Sequence, residues 1–263
     1  MREFGAFTRR QLQSSVFPIS FFILLALTLP LDLGRYEVLL AGCLVIQFLL
    51  LKKGWETRDE LLTITVFHLA GLCLEIYKVK HGSWSYPEPS ITKIAGVPLF
   101  SGFMYGSVAS YITQAWRRFD LKMIKWPPTW AAALVVAAIY INFFTGRLLG
   151  DYRWWVVVAV SLIFWRTQVE FTTLEKKRRR MPMLLAFIAI GFFVYVAENI
   201  CSGLGAYVYP DQLVEWRPVN VGKFSSWSLL VIFSVLLVYE LKEFKARRSQ
   251  AGTEPQTEGL KVA

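Results

Sequence analysis

Metal-binding and redox-active side chains are scarce in this chain: its 263 residues include two histidines and three cysteines. His68 and His81 are too few for a histidine-rich metal centre. Cys43, Cys73 and Cys201 lie in or at the ends of apolar runs, where an odd set reads as small packing residues rather than a disulfide framework or a metal cluster. Three catalytic signatures are missing: a glycine-rich phosphate loop closed by Lys and Ser or Thr, a zinc-binding His-Glu-x-x-His, and a Gly-x-Ser-x-Gly elbow. Their absence argues against an ATP-driven pump, a zinc hydrolase and a serine hydrolase. No metal and no cofactor is expected. Charge is sparse too, at 18% of residues, where soluble domains carry about 25%.

Apolar surface takes its place. Hydrophobic residues make up 55% of the chain and aromatic residues 16%, and they are clumped into runs. A helix needs roughly 20 mainly apolar residues to cross a bilayer. Eight runs are candidates: Val16–Leu33, Tyr36–Leu51, Leu61–Tyr77, Val97–Trp116, Trp130–Thr145, Tyr152–Gln168, Met181–Cys201 and Ser225–Leu241. Dense Leu, Phe, Ala and Val without strict alternation predicts helices rather than barrel strands. The expected fold is an all-α polytopic membrane helix bundle of about eight transmembrane helices. The first run contains Pro18 and Pro30, lacks a small-residue cleavage site and leads into a second run, so it reads as a retained helix.

Basic residues set the expected orientation. With eight crossings, 21 of the 29 Lys and Arg fall on the side that holds both termini. The positive-inside rule then puts the N- and C-termini in the cytoplasm of a protein of the cytoplasmic (inner) membrane. The formal charge of +10 is mainly topological, and the scatter of basic residues among short loops argues against a nucleic-acid partner. The run Glu175-Lys-Lys-Arg-Arg-Arg180 reads either as a lipid-attracting patch or, more plainly, as an ordinary cytoplasmic loop.

One pattern occurs twice. Glu75-x6-Gly82-x-Trp84-x-Tyr86-Pro87 recurs as Glu198-x6-Gly205-x-Tyr207-x-Tyr209-Pro210, offset by 123 positions without insertion. Each copy sits where an apolar run meets a polar loop. The expected architecture is two like-oriented four-helix repeats, residues 1–126 and 127–245, related by a pseudo-twofold along the membrane normal. The boundary falls at Trp126-Pro127-Pro128-Thr129, and residues 246–263 are expected to form a disordered cytoplasmic tail.

The repeat also nominates a site. Glu75 and Glu198 fall on the last turns of membrane helices, where paired carboxyl groups in apolar surroundings serve as proton donors. Trp84, Tyr86, Tyr207 and Tyr209 alternate, so each pair faces one side of an extended stretch and offers ring faces to a cation. His68, two turns below Glu75, together with Asn199 and Asn142, completes the candidate ligand-binding set. Plainer readings stand beside these. Interfacial Trp and Tyr serve as membrane anchors, a glutamate near a helix end snorkels or pairs with Lys78 or Lys80, and His68 makes an interhelical hydrogen bond. Lys223 and Arg217 read either as anion ligands or as solvated loop residues. Asp151 and Arg153 are expected to pair, and Arg166 and Glu170 to pair across one helical turn.

The strings Gly82-Ser-Trp-Ser-Tyr-Pro, Gly96-Val-Pro-Leu-Phe-Ser-Gly-Phe-Met-Tyr, Gln114-Ala-Trp-Arg, Asn142-Phe-Phe-Thr and Ala197-Glu-Asn-Ile resemble a bacterial integral membrane family known as domain of unknown function 817. The resemblance runs from about the second apolar run to the last and implies a multi-span membrane protein without an established reaction. Histidines that often follow Asn-Phe-Phe-Thr in that family are replaced here by Gly146 and Arg147. A more distant resemblance, on Glu75, Trp84, Tyr86, Gly96 and Pro98 with Glu198, Tyr207 and Tyr209, is to lycopene cyclase domains and carotenoid hydratases. It implies isoprenoid chemistry. Acidic residues that follow the proline in the cyclases are Leu99, Phe100 and Ser101 here, so cyclase activity does not carry over.

Three function classes follow. The first binds or modifies an apolar, isoprenoid-type lipid by acid catalysis. The second is a small-solute or proton-coupled transporter, and the third a non-catalytic membrane assembly protein. The oligomeric state is left open.

Overall fold

Each of the eight apolar runs contains a helix, and most of the helices end where the chain supplies a local reason. The computed structural model describes residues 2–31, 34–145, 150–174 and 177–251. The protein is mostly helical. In chain order come α1 (Arg2–Ser14), α2 (Val16–Leu27), α3 (Arg35–Lys52), α4 (Arg58–Lys80), β1 (Lys93–Ile94), β2 (Val97–Pro98), α5 (Ser101–Arg118), β3 (Lys122–Ile124), α6 (Thr129–Thr145), α7 (Arg153–Phe164), β4 (Gln168–Leu174), β5 (Lys177–Pro182), α8 (Met183–Gly203), a 3-10 turn (Pro210–Gln212) and α9 (Lys223–Ala251). Among these, α4, α8 and α9 are individually long and apolar enough to cross a membrane. The pair α1 and α2, bent by 62° at Ser15, makes up to four, and α6 and α7 are shorter apolar helices.

The helix ends of the two copies correspond. The α4 helix opens on a capping box in which Thr57 Oγ1 accepts from the Glu60 amide and Glu60 accepts from the Thr57 amide. It closes through Gly82 at φ +66°, and α8 closes through Gly205 at φ +67°, the left-handed residue that lets a chain leave a helix at no Cβ cost. The wrap-back hydrogen bonds match as well: Ser83 N to Lys78 O and Ala206 N to Cys201 O, both 2.9 Å. Beyond these turns, Ser85 and Val208, again 123 positions apart, exchange both backbone hydrogen bonds at 2.9 Å as an antiparallel bridge. A contact between like positions is self-complementary, as across a twofold axis.

Three local expectations need correction, and one element was missed. Helix α1 was not foreseen. Residues Val97–Pro98 are not helical but pair with Lys93–Ile94 around a two-residue turn, Ala95 and Gly96, both at positive φ. The seventh helix stops at Phe164, and the connection after it is a hairpin, with β3-β4-β5 forming an antiparallel sheet. Arg166 and Glu170 therefore make no helical pair. Glu170 sits opposite Arg180 in the sheet and bonds Arg178 (2.9 Å) and Arg180 (2.8 Å), while Arg166 stacks on Trp165. The physical reason is alternation: Val169 is buried and Phe171 packs on Phe7 and Phe119, so a period of two outweighs helix continuation. Of the basic run at 175–180, residues 175 and 176 lie outside the described residues, as do Gly146, Arg147 and positions 252–263 of the expected tail. The α9 helix runs through the first six positions of that tail, to Ala251.

Packing follows small residues. At Gly71 an added Cβ would come within 2.3 Å of the Tyr105 ring, so that ring lies directly on the α4 backbone. At Gly191 it would come within 2.3 Å of Ser228 Oγ, which brings α8 and α9 close together. One apolar cluster joins α6–α9 to α4 and α5, and a second joins α2 and α3 to the two repeated loops.

Candidate functional site

The next-to-last turns of α4 and α8, not the last ones the sequence suggested, each present a glutamate inward, 2% and 4% exposed respectively. Glu75 is saturated by neutral donors. Its Oε2 accepts from Trp84 Nε1 (2.6 Å) and Tyr86 OH (2.8 Å), and its Oε1 from Tyr105 OH (2.8 Å). Glu198 accepts from Tyr209 OH, has the Tyr207 hydroxyl in hydrogen-bonding reach, and lies within electrostatic range of Lys223 and Glu75. Aromatic N–H and O–H groups bind both carboxylates. Burial, with the Glu198 charge behind it, pushes the phenols of Tyr207 and Tyr209 above their usual range, so both remain neutral donors.

The alternation places the rings as a set. Trp84, Tyr86, Tyr207 and Tyr209 are all buried, and they meet edge-on or tilted across the two loops: Trp84 to Tyr209 at 5.9 Å and Tyr86 to Tyr207 at 6.0 Å. A positive charge already lies against this cluster. Lys223 Nζ stands 4.8 Å from the Tyr209 ring centre and 5.5 Å from that of Trp84, within the range of a cation–π contact.

Both carboxyl groups line one cavity of about 850 Å³, together with Trp84, Tyr105, Tyr207 and Tyr209. Apolar side chains form most of the remaining wall, and it reaches to Phe7, Thr8 and Gln11 of α1. Tyr86 does not line the cavity. Nor do His68, Asn199 and Asn142, and each has structural work elsewhere. His68 lies edge-on to Phe103 (4.6 Å) over Gly102, with its Nδ1 buried and unpartnered. Asn199 takes the Val219 amide and donates to Tyr195 O, both at 2.9 Å, pinning the second loop to α8. Asn142 accepts from the Tyr152 amide at 3.0 Å and joins α6 to the start of α7. Asp151 and Arg153 pair, as their spacing suggests.

Three further residues matter here. Tyr105 has no aromatic counterpart 123 positions on, where Ser228 stands, so the repeat conceals it. Arg35, counted in the sequence as a loop cation, is 4% exposed. It donates to Leu204 O (2.6 Å), Gly205 O (3.2 Å), Leu25 O (3.3 Å) and Glu88 (2.8 Å), so it holds the ends of α2 and α8 together. Glu56, just before α4, is 2% exposed and accepts from Gln47, Ser110 and Gln114. Burial pushes its carboxyl up, against the pull of those three donors. Two glutamines inside apolar runs were the sequence signal for such a partner.

Chemically, the site offers two buried acids, a wall of ring faces and an apolar chamber. Ligand pockets generally measure about 300–1,000 Å³, so the chamber is at the roomy end. Comparison with known proteins fixes the relationship. The family model described as "Protein of unknown function (DUF817)" matches residues 3–235. A Bacillus subtilis (strain 168) protein, "Uncharacterized protein YoaT", is 51% identical over 238 residues, covering 89% of this chain and 90% of that one. No solved structure matches the chain.

Proposed function

The chain belongs to the DUF817 family, and from that premise we propose that it is a polytopic inner-membrane protein whose two like-oriented halves enclose a site for an apolar, isoprenoid-type lipid. The single observation that carries this reading is that Glu75 and Glu198 line the same largely apolar cavity. Equal helix endings and the Ser85–Val208 bridge support the duplication. The eight helix-containing runs support eight crossings, and the 21-to-8 division of Lys and Arg supports cytoplasmic termini.

The chemistry proposed is protonation or hydration of a double bond. Glu198, held by tyrosines alone and facing Lys223, is the donor. Glu75, fixed by three donors, holds Trp84 in place as a ring face for developing positive charge. The ammonium already seated against Trp84 and Tyr209 supports that role for the rings. Lipid extraction from the purified protein followed by mass spectrometry is the test. A specific apolar lipid retained by wild type, and changed in amount or composition in Glu198→Gln, is expected. Bulk phospholipid alone, in wild type and in the Glu75→Gln/Glu198→Gln double variant, would defeat the reading.

Transport of a small solute or protons is the second reading. It is favoured by the reach of the cavity from the two acids to polar Thr8 and Gln11 on α1. Liposome flux that is unaffected when both glutamates are replaced removes it. A non-catalytic assembly role predicts altered complex formation with no change in any lipid.

A further inference from the structure

A small chamber of about 60 Å³ adjoins the large cavity, and Trp84, Tyr105 and Trp227 wall both. Its remaining polar lining comes from Lys78 on α4 and from Lys223 and Ser226 on α9. The lining is rich in donors. Two ammonium groups border it, and no carboxylate lines it among the described residues. Trp227 Nε1, a group that can only donate, is buried without a partner. Ser226 Oγ already accepts from Arg153 Nη1 (3.2 Å), which leaves its own O–H to donate. The indole of Trp84 and the phenol of Tyr105 are turned away to Glu75.

A buried N–H without an acceptor costs about 1–3 kcal/mol, so a donor-rich lining of this kind favours an occupant that accepts. The chamber's volume equals about two waters at their liquid density, enough for one tetrahedral oxyanion. Around Lys223 stand the charges of Arg153, Glu198 and Asp211, and Arg153 is itself paired with Asp151.

We infer that this chamber takes the phosphate of an amphiphilic lipid whose apolar chain lies in the adjoining cavity. The inference rests on the lipid reading above and deepens it, because it names the head group. Lys78 and Lys223 supply charge-assisted hydrogen bonds, Trp227 and Ser226 supply neutral ones, and the shared ring wall marks the junction of head and chain.

Calorimetric titration of the full-length protein in detergent micelles with farnesyl phosphate, farnesol and inorganic phosphate tests it. Farnesyl phosphate is expected to bind about tenfold or more tighter than farnesol. Lys78→Gln should remove most of that preference while leaving farnesol unchanged; Lys223→Gln should also reduce the preference, and Lys223→Arg should keep it. Trp227→Phe removes the N–H together with part of the ring, and should weaken farnesyl phosphate more than farnesol. Equal affinity for farnesol and farnesyl phosphate overturns the head-group site but leaves the lipid reading standing. Inorganic phosphate bound as tightly as farnesyl phosphate overturns the link to a chain. Binding of neither farnesyl compound overturns both.

Discussion

Glu75 and Glu198 occupy like positions on like helix ends, and their surroundings differ in one respect that governs their chemistry. Around Glu75, three neutral donors from two elements occupy both carboxyl oxygens. Around Glu198, only the tyrosines of its own loop bind, and an ammonium stands nearby. The difference traces to Tyr105, which approaches α4 over Gly71, whereas α9 brings Ser228 against Gly191. The two like positions thus share a backbone ending and differ in the partner helix: one carboxyl group is fixed by three donors from two elements, and the other is bound by the tyrosines of its own loop.

The asymmetry can be broken by experiment. Glu75→Ala strands three buried donors and should cost the most stability, about 3–5 kcal/mol, read from unfolding in micelles. Glu198→Ala strands fewer and should cost about 1–2 kcal/mol; the reverse order would contradict the division of roles. Ser85→Pro and Val208→Pro each remove one bridge donor, and should cost similar amounts of about 1–3 kcal/mol if the two strands are equivalent. Tyr105→Phe should cost about 1 kcal/mol and make Glu75 resemble its counterpart in its response to Gln substitution.

The smallest effect is expected at Glu56, a buried acid outside the repeat. Burial raises its carboxyl in the folded state above the unfolded value, so its stabilising contribution is full below the unfolded pKa and is lost as pH rises through the folded one. Glu56→Gln should flatten the pH dependence of melting over that window, and an unchanged profile would assign the dependence elsewhere.

The helix positions and the recurring Glu-to-Pro spacing were legible in the sequence, because apolar runs and fixed spacing are local signals. The φ angles at Gly82 and Gly205 follow from the same signals. The β4–β5 hairpin was not legible: Val169 and Phe171 look like the tail of an apolar helix until α1 and Phe119 supply the surface on which a strand can pack. Arg35 was hidden for a related reason. A cation beside a membrane run normally signals orientation, and its burial makes sense only once two helix ends converge on it. His68 was drawn toward the site by its helical face, Asn142 by its depth near the end of a run and Asn199 by adjacency to Glu198. Their actual partners are backbone groups and a phenylalanine ring that only the tertiary fold brings near.

The Ser85–Val208 bridge has a mechanical consequence. It ties the two loops through a pair of backbone hydrogen bonds, beside the ring contacts of Trp84 with Tyr209 and of Tyr86 with Tyr207, so a motion that parts the loops must undo both bonds, as a clasp is undone.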